Sequence, residues 1–339
     1  MLISRFSYLL VYLFVAVVML VPSTVFAETL SSAEQSLTAA KWFERGVYFY
    51  TIERKPQEAI EAFTKAIECD SIYVEAYAWR GNSKRLLKRY PDAISDFDRA
   101  LQLSPDSSLA LAMRAATYAE SGNFSAASAD CDKVLSMRTI NNATAYNYLG
   151  MAYDLMNQYQ RAIECYNKAI LLEPKNVAAY NNRGLSYKHL GQWDQAILNY
   201  SKAIEVSPQF ATAYYNRGNV YRLNSEWNQA ISDFNKTIEL NPQYPDVYIT
   251  RGEVLMKTGN GKDAESDFIK AIGIDPFDGS AYFYLAQVYE HNGQKSEALE
   301  NYRLANKFIS SIDDQQAKQK IGVRLQGDWT TLKEWILLF

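Results

Sequence analysis

Over most of the chain, hydrophobic positions recur with helical spacing inside segments that are themselves repeated. Residues 181–208 read NNRGLSYKHLGQWDQAILNYSKAIEVSP, and residues 215–242, which begin 34 positions later, read YNRGNVYRLNSEWNQAISDFNKTIELNP. Within the first segment, Ala196, Tyr200 and Ala203 fall on one face of a helix. A second apolar stripe precedes them. The pattern therefore predicts pairs of amphipathic helices, copied along the chain.

Each copy carries a small residue, an alanine, an aromatic residue and a second alanine in a fixed order. The small position is occupied by Gly46, Gly81, Ala115, Gly150, Gly184, Gly218, Gly252 and Ala286. Small side chains let two helices cross closely, and the aromatic residue fills the remaining space. A proline closes most copies, where it cannot continue a helix interior. These positions predict that the two helices of each copy pack on each other.

This order of residues resembles the tetratricopeptide repeat family, a helix–turn–helix repeat of 34 residues, and the resemblance covers about 80% of the chain. It implies an all-α fold: a right-handed α-solenoid superhelix of about eight repeats, in which the first helix of each pair lines a concave surface. A C-terminal capping helix is expected over 313–339. The repeat boundaries implied are 40–73, 74–107, 108–142, 143–176, 177–210, 211–244, 245–278 and 279–312.

Two copies depart from the pattern. The first has one extra residue in TIERKPQEA. The third has Ala115 and Cys131 where glycine and an aromatic residue are usual, Thr139 where proline is usual, and one extra residue after it. We therefore expect a kink or a soft joint between the third and fourth repeats.

The N-terminus has a different character. Arg5 precedes an apolar run at 6–21, and Ala27 ends a short stretch of small and apolar residues. Residues 1–27 therefore predict a signal peptide, followed by a linker at 28–39, and the protein is expected to be exported to the periplasm or secreted. The alternative is an uncleaved membrane anchor, although the run is shorter than the roughly 20 residues that a span needs.

Composition and motifs exclude several classes of protein. The formal net charge is -3 and the isoelectric point is about 5.6, so the chain lacks the basic footprint of a nucleic-acid-binding protein. It has only two histidines, His189 and His291, which lie three repeats apart, and no phosphate-binding or metalloprotease motif. We expect no enzyme activity, no cofactor and no metal.

The resemblance places a binding groove on the concave surface, at positions two and three before the repeat glycine and one and four after it. Asparagine side chains both donate and accept, so a row of them can hold the main chain of an extended peptide. Aromatic side chains add contact area, and Arg85, Lys188 and Arg222 could meet carboxylates. The candidate groove residues are Trp79, Asn82, Arg85, Asn147, Tyr148, Asn181, Asn182, Lys188, Tyr215, Asn216, Asn219, Arg222 and Tyr284.

The resemblance thus implies a scaffold or adaptor that binds a protein or an extended peptide in its groove. Assembly of an envelope complex is the setting expected by analogy, because a fold does not fix a function. The alternative is a membrane-anchored structural or regulatory subunit, which would contact the membrane only through its uncleaved N-terminal segment.

Overall fold

The computed structural model describes residues 38–138 and 140–310, and this part of the chain is all-α, with sixteen α-helices and no strand. The predicted fold class is confirmed. The helices are α1 (38–48), α2 (Pro56–Cys69), α3 (Val74–Leu86), α4 (Tyr90–Leu103), α5 (Ser108–Glu120), α6 (Phe124–Leu135), α7 (Ala143–Leu155), α8 (Tyr159–Leu172), α9 (Val177–His189), α10 (Trp193–Val206), α11 (Ala211–Leu223), α12 (Trp227–Leu240), α13 (Pro245–Lys257), α14 (Gly261–Ile274), α15 (Gly279–His291) and α16 (Lys295–Ser310).

The predicted signal peptide and capping helix lie outside the described residues. Across residues 38–138 and 140–310, no helix combines the length and the hydropathy required to cross a bilayer.

The repeat glycine and the aromatic residue sixteen positions later form the contact between the two helices of a pair. A Cβ added to Gly184 would lie 2.7 Å from Cε1 of Tyr200, and one added to Gly218 would lie 2.8 Å from Cε1 of Phe234. Both distances are shorter than real Cβ contacts, so at these two positions a side chain would force the ring or the first helix to shift. The sequence spacing predicted this contact correctly.

A second contact with the same spacing was not predicted. The arginine that precedes the repeat small residue donates from Nε to a carboxylate sixteen residues later, over 2.7–2.9 Å. Its Nη1 atom reaches back by sixteen residues to the preceding second helix, as Arg217 does to Ser201 Oγ at 2.9 Å. We call this contact the arginine clasp, because it joins consecutive second helices. The carboxylate pairs are Arg80–Asp96, Arg114–Asp130, Arg217–Asp233 and Arg251–Asp267.

The extra residue of the first repeat is absorbed at the end of its first helix. Residues Phe49–Glu53 form a π-helical turn, in which the N–H of Arg54 bonds to the carbonyl oxygen of Phe49. A π-helical turn accommodates one inserted residue without breaking the helix. The chain leaves the turn through Arg54, whose φ of 53° is left-handed.

The chain divides into two compact units, Met1–Gln158 and Tyr159–Phe339. In the second unit, each second helix packs on the first helix of the next repeat, and neighbouring first helices barely touch. In the first unit, α4 packs on α5 in the same way, but α6 barely touches α7. Instead, α7 packs along α5 as extensively as α5 packs on its own partner α6.

The side chains of α5 explain why α7 can approach it so closely. Its inner positions are Ala112, Met113, Ala116 and Ala119, and all four are buried. Alanine side chains at these positions leave room for a second helix at short range. The connection from α6 to α7, residues 136–142, is also longer than the one from α4 to α5 at 104–107. The change in packing falls where the third copy departs from the repeat pattern.

Candidate functional site

In the first unit, the structure brings together three of the predicted groove residues in a buried cluster. Nδ2 of Asn82 on α3 donates to the hydroxyl oxygen of Tyr148 on α7 at 2.6 Å. Nε of Arg85 donates to Oδ1 of Asn82 at 2.9 Å, and its guanidinium lies 5.6 Å from the centre of the Tyr148 ring. Asn82 and Tyr148 are 66 residues apart in sequence, so α7 lies across the inner face of the preceding repeats.

Two further residues complete this cluster, and the sequence did not indicate either of them. Nδ2 of Asn82 also donates to the hydroxyl oxygen of Tyr50 at 2.7 Å. Arg85 forms an ion pair with Glu120 at the end of α5. We call Tyr50, Asn82, Arg85, Glu120 and Tyr148 the tyrosine cluster. Tyr50, four residues after Gly46, lies in the π-helical turn, and this turn places its side chain in the cluster.

The polar groups of the tyrosine cluster are satisfied by one another. Asn82 is fully buried and Arg85 is 5% exposed, yet each has hydrogen-bond partners within the cluster. Burial raises the pKa of Tyr148, so its hydroxyl keeps its proton at any physiological pH. The other two predicted residues of this unit lie beside the cluster. Trp79 packs edge-on against Tyr50, with ring centres 5.2 Å apart, and Asn147 precedes Tyr148 on α7.

In the second unit, the predicted asparagines contact one another across neighbouring first helices. Nδ2 of Asn216 on α11 donates to Oδ1 of Asn181 on α9 at 2.9 Å, and Nδ2 of Asn181 lies 3.3 Å from Oδ1 of Asn182. Asn219 donates to the main-chain oxygen of Tyr215 at 2.9 Å. Asn182, Asn216 and Asn219 are all half-buried, so part of each side chain stays accessible.

A basic pair lies at the end of this row of asparagines. Lys188 and Arg222 occupy equivalent positions on α9 and α11, four residues after the repeat glycine. Burial, together with the nearby charge of Arg222, lowers the pKa of Lys188. Nη1 of Arg222 pairs with Glu253 at 2.9 Å, but its Nε atom is buried and has no hydrogen-bond partner among the described residues. The two cations thus lie close enough for the charge of Arg222 to act on Lys188.

The two aromatic candidates of the second unit differ in accessibility. Tyr215 is half-buried, and its ring lies 4.9 Å from the ring of Tyr244 and 6.0 Å from that of Phe234. Tyr284 is only 5% exposed, and its ring stacks on Phe268 at 5.5 Å. Tyr284 therefore contributes mainly to packing, whereas Tyr215 still offers surface to a ligand.

Within residues 38–138 and 140–310, no three or more histidine, cysteine, aspartate or glutamate side chains come together in a way that could hold a metal ion.

Models of known protein families match more than half of the 339 residues. Models described as tetratricopeptide repeat match residues 74–107, 143–176, 165–197, 211–244 and 249–308, and a model described as TPR repeat matches 184–225.

Among curated proteins, the human mitochondrial import receptor subunit TOM70 is 30% identical over 153 residues, which cover 43% of this chain and 25% of TOM70. The SGT1 homolog of Bos taurus is 33% identical over 97 residues, which cover 29% of each chain. This chain thus spans about a quarter of the length of the relatives that it matches. Among solved structures, the human IFIT1 dimer with PPP-AAAA is 19% identical, with a TM-score of 0.57 over 76% of this chain and 69% of IFIT1; this likeness concerns the fold alone.

Proposed function

The chain belongs to the tetratricopeptide repeat family, and on that premise we propose that it is a scaffold that holds an extended, acidic segment of a partner protein on the inner face of its second unit. Residues of this inner face are Asn182, Lys188, Asn216, Asn219 and Arg222. The relatives TOM70 and SGT1 are tetratricopeptide proteins, which supports an interaction role without naming a partner.

One observation carries the acidic preference. Burial and the charge of Arg222 lower the pKa of Lys188, so the two cations lie close together, and Nε of Arg222 is buried without a partner among the described residues. A buried cation without a full set of acceptors is costly, and a charge-assisted hydrogen bond to a ligand carboxylate relieves that cost. In the first unit, by contrast, Nε of the equivalent Arg85 donates to Oδ1 of Asn82.

The asparagine row supports the extended conformation. An extended peptide presents its main-chain N–H and C=O groups at regular intervals, and an asparagine amide can meet either kind of group. Asn182, Asn216 and Asn219 are half-buried on consecutive first helices, so their amides keep some access to solvent. Such contacts depend on the main chain and leave most of the ligand sequence undetermined.

The N-terminal segment 1–27 supports the further proposal that the scaffold is exported, with its partner in a cell-envelope complex. That segment has the positive residue, the apolar run and the small-residue end of a secretory signal.

A peptide selection followed by a double-mutant cycle tests the acidic preference. A display library of unstructured 12-residue peptides would be selected on the full chain. The tightest peptide would be synthesised in its acidic form and with each carboxylate replaced by the amide. We expect Lys188→Met to weaken the acidic peptide by about tenfold, which corresponds to about 1.4 kcal/mol, and to leave the amide form unchanged.

Two controls make this experiment specific. Lys202→Met removes an equal charge from the exposed face of α10, and it should change neither affinity beyond twofold. Asn216→Ala should weaken both peptides equally, because main-chain contacts do not depend on the ligand's charge. Selected peptides without acidic residues, or a Lys188→Met effect that is the same for both forms, would refute the proposal.

A further inference from the structure

The inner face of the first unit already holds a helix, and that helix belongs to the same chain. Residues of α7 lie against α5, and the Tyr148 hydroxyl reaches Asn82 two repeats earlier. In the second unit, neighbouring first helices barely touch, so this packing is not a general property of the repeat. The surface that would receive a ligand in the first unit is therefore covered by α7.

From this arrangement we infer that the inner face of the first three repeats is a receptor for a largely apolar helix carrying a tyrosine, and that α7 is its built-in occupant. A partner helix of the same chemistry would bind there only when α7 leaves. This inference does not rest on the function proposed for the second unit, since the two faces use different residues.

The chemistry of the face defines the ligand that it accepts. Ala112, Met113, Ala116 and Ala119 form an apolar floor of mostly small side chains, which suits the close approach of a helix and not an extended chain. At one end of that floor, Asn82 offers a hydrogen-bond donor to a hydroxyl. The charge of Arg85 is already paired with Glu120, so a charged ligand would find no unpaired opposite charge there.

The way in which α7 is attached also favours an occupant that can be exchanged. Its seven-residue connection to α6, residues 136–142, is longer than the four-residue connection at 104–107, and α6 barely touches α7. The helix is therefore held to the first unit chiefly through α5 and the tyrosine cluster. A tethered helix competes at a high effective concentration, so a free helix binds weakly while α7 is in place.

A peptide competition experiment tests the inference on the full chain. The probe is a labelled synthetic peptide of residues 141–158, NNATAYNYLGMAYDLMNQ. We expect negligible binding to the wild-type chain. Tyr148→Ala in the chain weakens the built-in occupant, so the peptide should bind at least tenfold more tightly. Tyr180→Ala, which removes a tyrosine from α9 instead, should leave the peptide as weakly bound as it is by the wild-type chain.

A second peptide identifies the contact. The same peptide with Tyr148→Phe lacks the hydroxyl, and we expect the Tyr148→Ala chain to bind it about five- to tenfold more weakly than the original peptide. Adding Asn82→Ala to that chain should abolish the discrimination, because the donor for the hydroxyl is gone. Equal affinity of the Tyr148→Ala chain for both peptides, or no binding by any variant, would overturn the inference.

Hydrogen exchange of the unmodified chain tests the inference without depending on whether the variants fold. If α7 is an exchangeable occupant, its amides should exchange well before those of α3 and α5, and an excess of the peptide should accelerate exchange in α7 by capturing the open face. If α7 and α5 exchange together, and the peptide changes neither, then α7 is an integral part of the stack and the inference fails.

Discussion

The fifth repeat provides a natural variant of the arginine clasp, and it leads to a specific prediction about stability. Here Asn199 stands where the other clasps carry aspartate, and Nε of Arg183 donates to its Oδ1 at 2.7 Å. Burial lowers the pKa of Arg183, whereas the hydrogen bond to Asp233 raises the pKa of Arg217 in the next repeat. Arg183 is therefore a half-buried cation without its carboxylate. We predict that Asn199→Asp stabilises the protein.

The magnitude follows from the two kinds of hydrogen bond. A hydrogen bond to a charged group contributes about 1.5–3 kcal/mol, against about 0.5–1.5 kcal/mol for a neutral one. The substitution also removes the bond from Nδ2 of Asn199 to the main-chain oxygen of Gln195 at 2.8 Å. That oxygen is in helix α10 and is a regular helix acceptor. We expect a net gain of about 1 kcal/mol, equivalent to about 2–4 °C in Tm for a unit of this size.

Urea unfolding of the full chain, followed by circular dichroism, measures this gain. The matched control is Asp233→Asn, which makes the sixth repeat resemble the fifth. It should lower the free energy of unfolding by about the amount by which Asn199→Asp raises it. In acid, once the new carboxyl group is protonated, the gain should disappear. If Asn199→Asp destabilises the chain, or if both substitutions shift stability in the same direction, then the clasps are not stabilising ion pairs.

Two further predictions concern Lys188 and the N-terminus. Because its folded-state pKa is lowered, Lys188 destabilises the fold while it is protonated, and stability should rise as the pH rises from the folded-state pKa towards the unfolded-state pKa. Lys188→Met should therefore raise the free energy of unfolding at pH 7 by about 0.5 kcal/mol or more, whereas the exposed Lys175→Met should not; a loss of stability would contradict this. Intact-mass measurement of the protein from its native host should give a chain that begins at Glu28, and a chain that retains residues 1–27 would favour the membrane anchor.

The repeat pattern predicted the helices and their pairwise contacts because both depend on short sequence separations. Gly184 meets Tyr200 within one helix pair, so a fixed spacing of sixteen residues contains the whole contact. The arginine clasp has the same spacing and could have been found in the same way. The Arg217–Asp233 pair has an equivalent arginine–aspartate pair in three other repeats, and all of them are visible in the sequence.

The sequence could not predict which groove residues have hydrogen-bond partners, because it treats equivalent repeat positions alike. Arg85 and Arg222 occupy the same place in their repeats, and the sequence gives no reason to separate them. Arg85 is nonetheless satisfied by Asn82 and Glu120, whereas Nε of Arg222 lacks a partner among the described residues. Which partners are present depends on the neighbouring first helices, and their approach depends on side chains in another repeat.

The inner face of a repeat array is therefore determined by the size of the residues on adjacent first helices as well as by their polarity. On α5, Ala112, Ala116 and Ala119 leave space that a helix can fill, and α7 fills it. On α9 and α11, Asn181 and Asn216 use the same space for a hydrogen bond between neighbouring first helices, and those helices barely touch. Larger polar residues keep an inner face open to an extended ligand, whereas alanines favour a helix in that place. If both proposals hold, the two units recognise different kinds of ligand, although both are built from the same repeat.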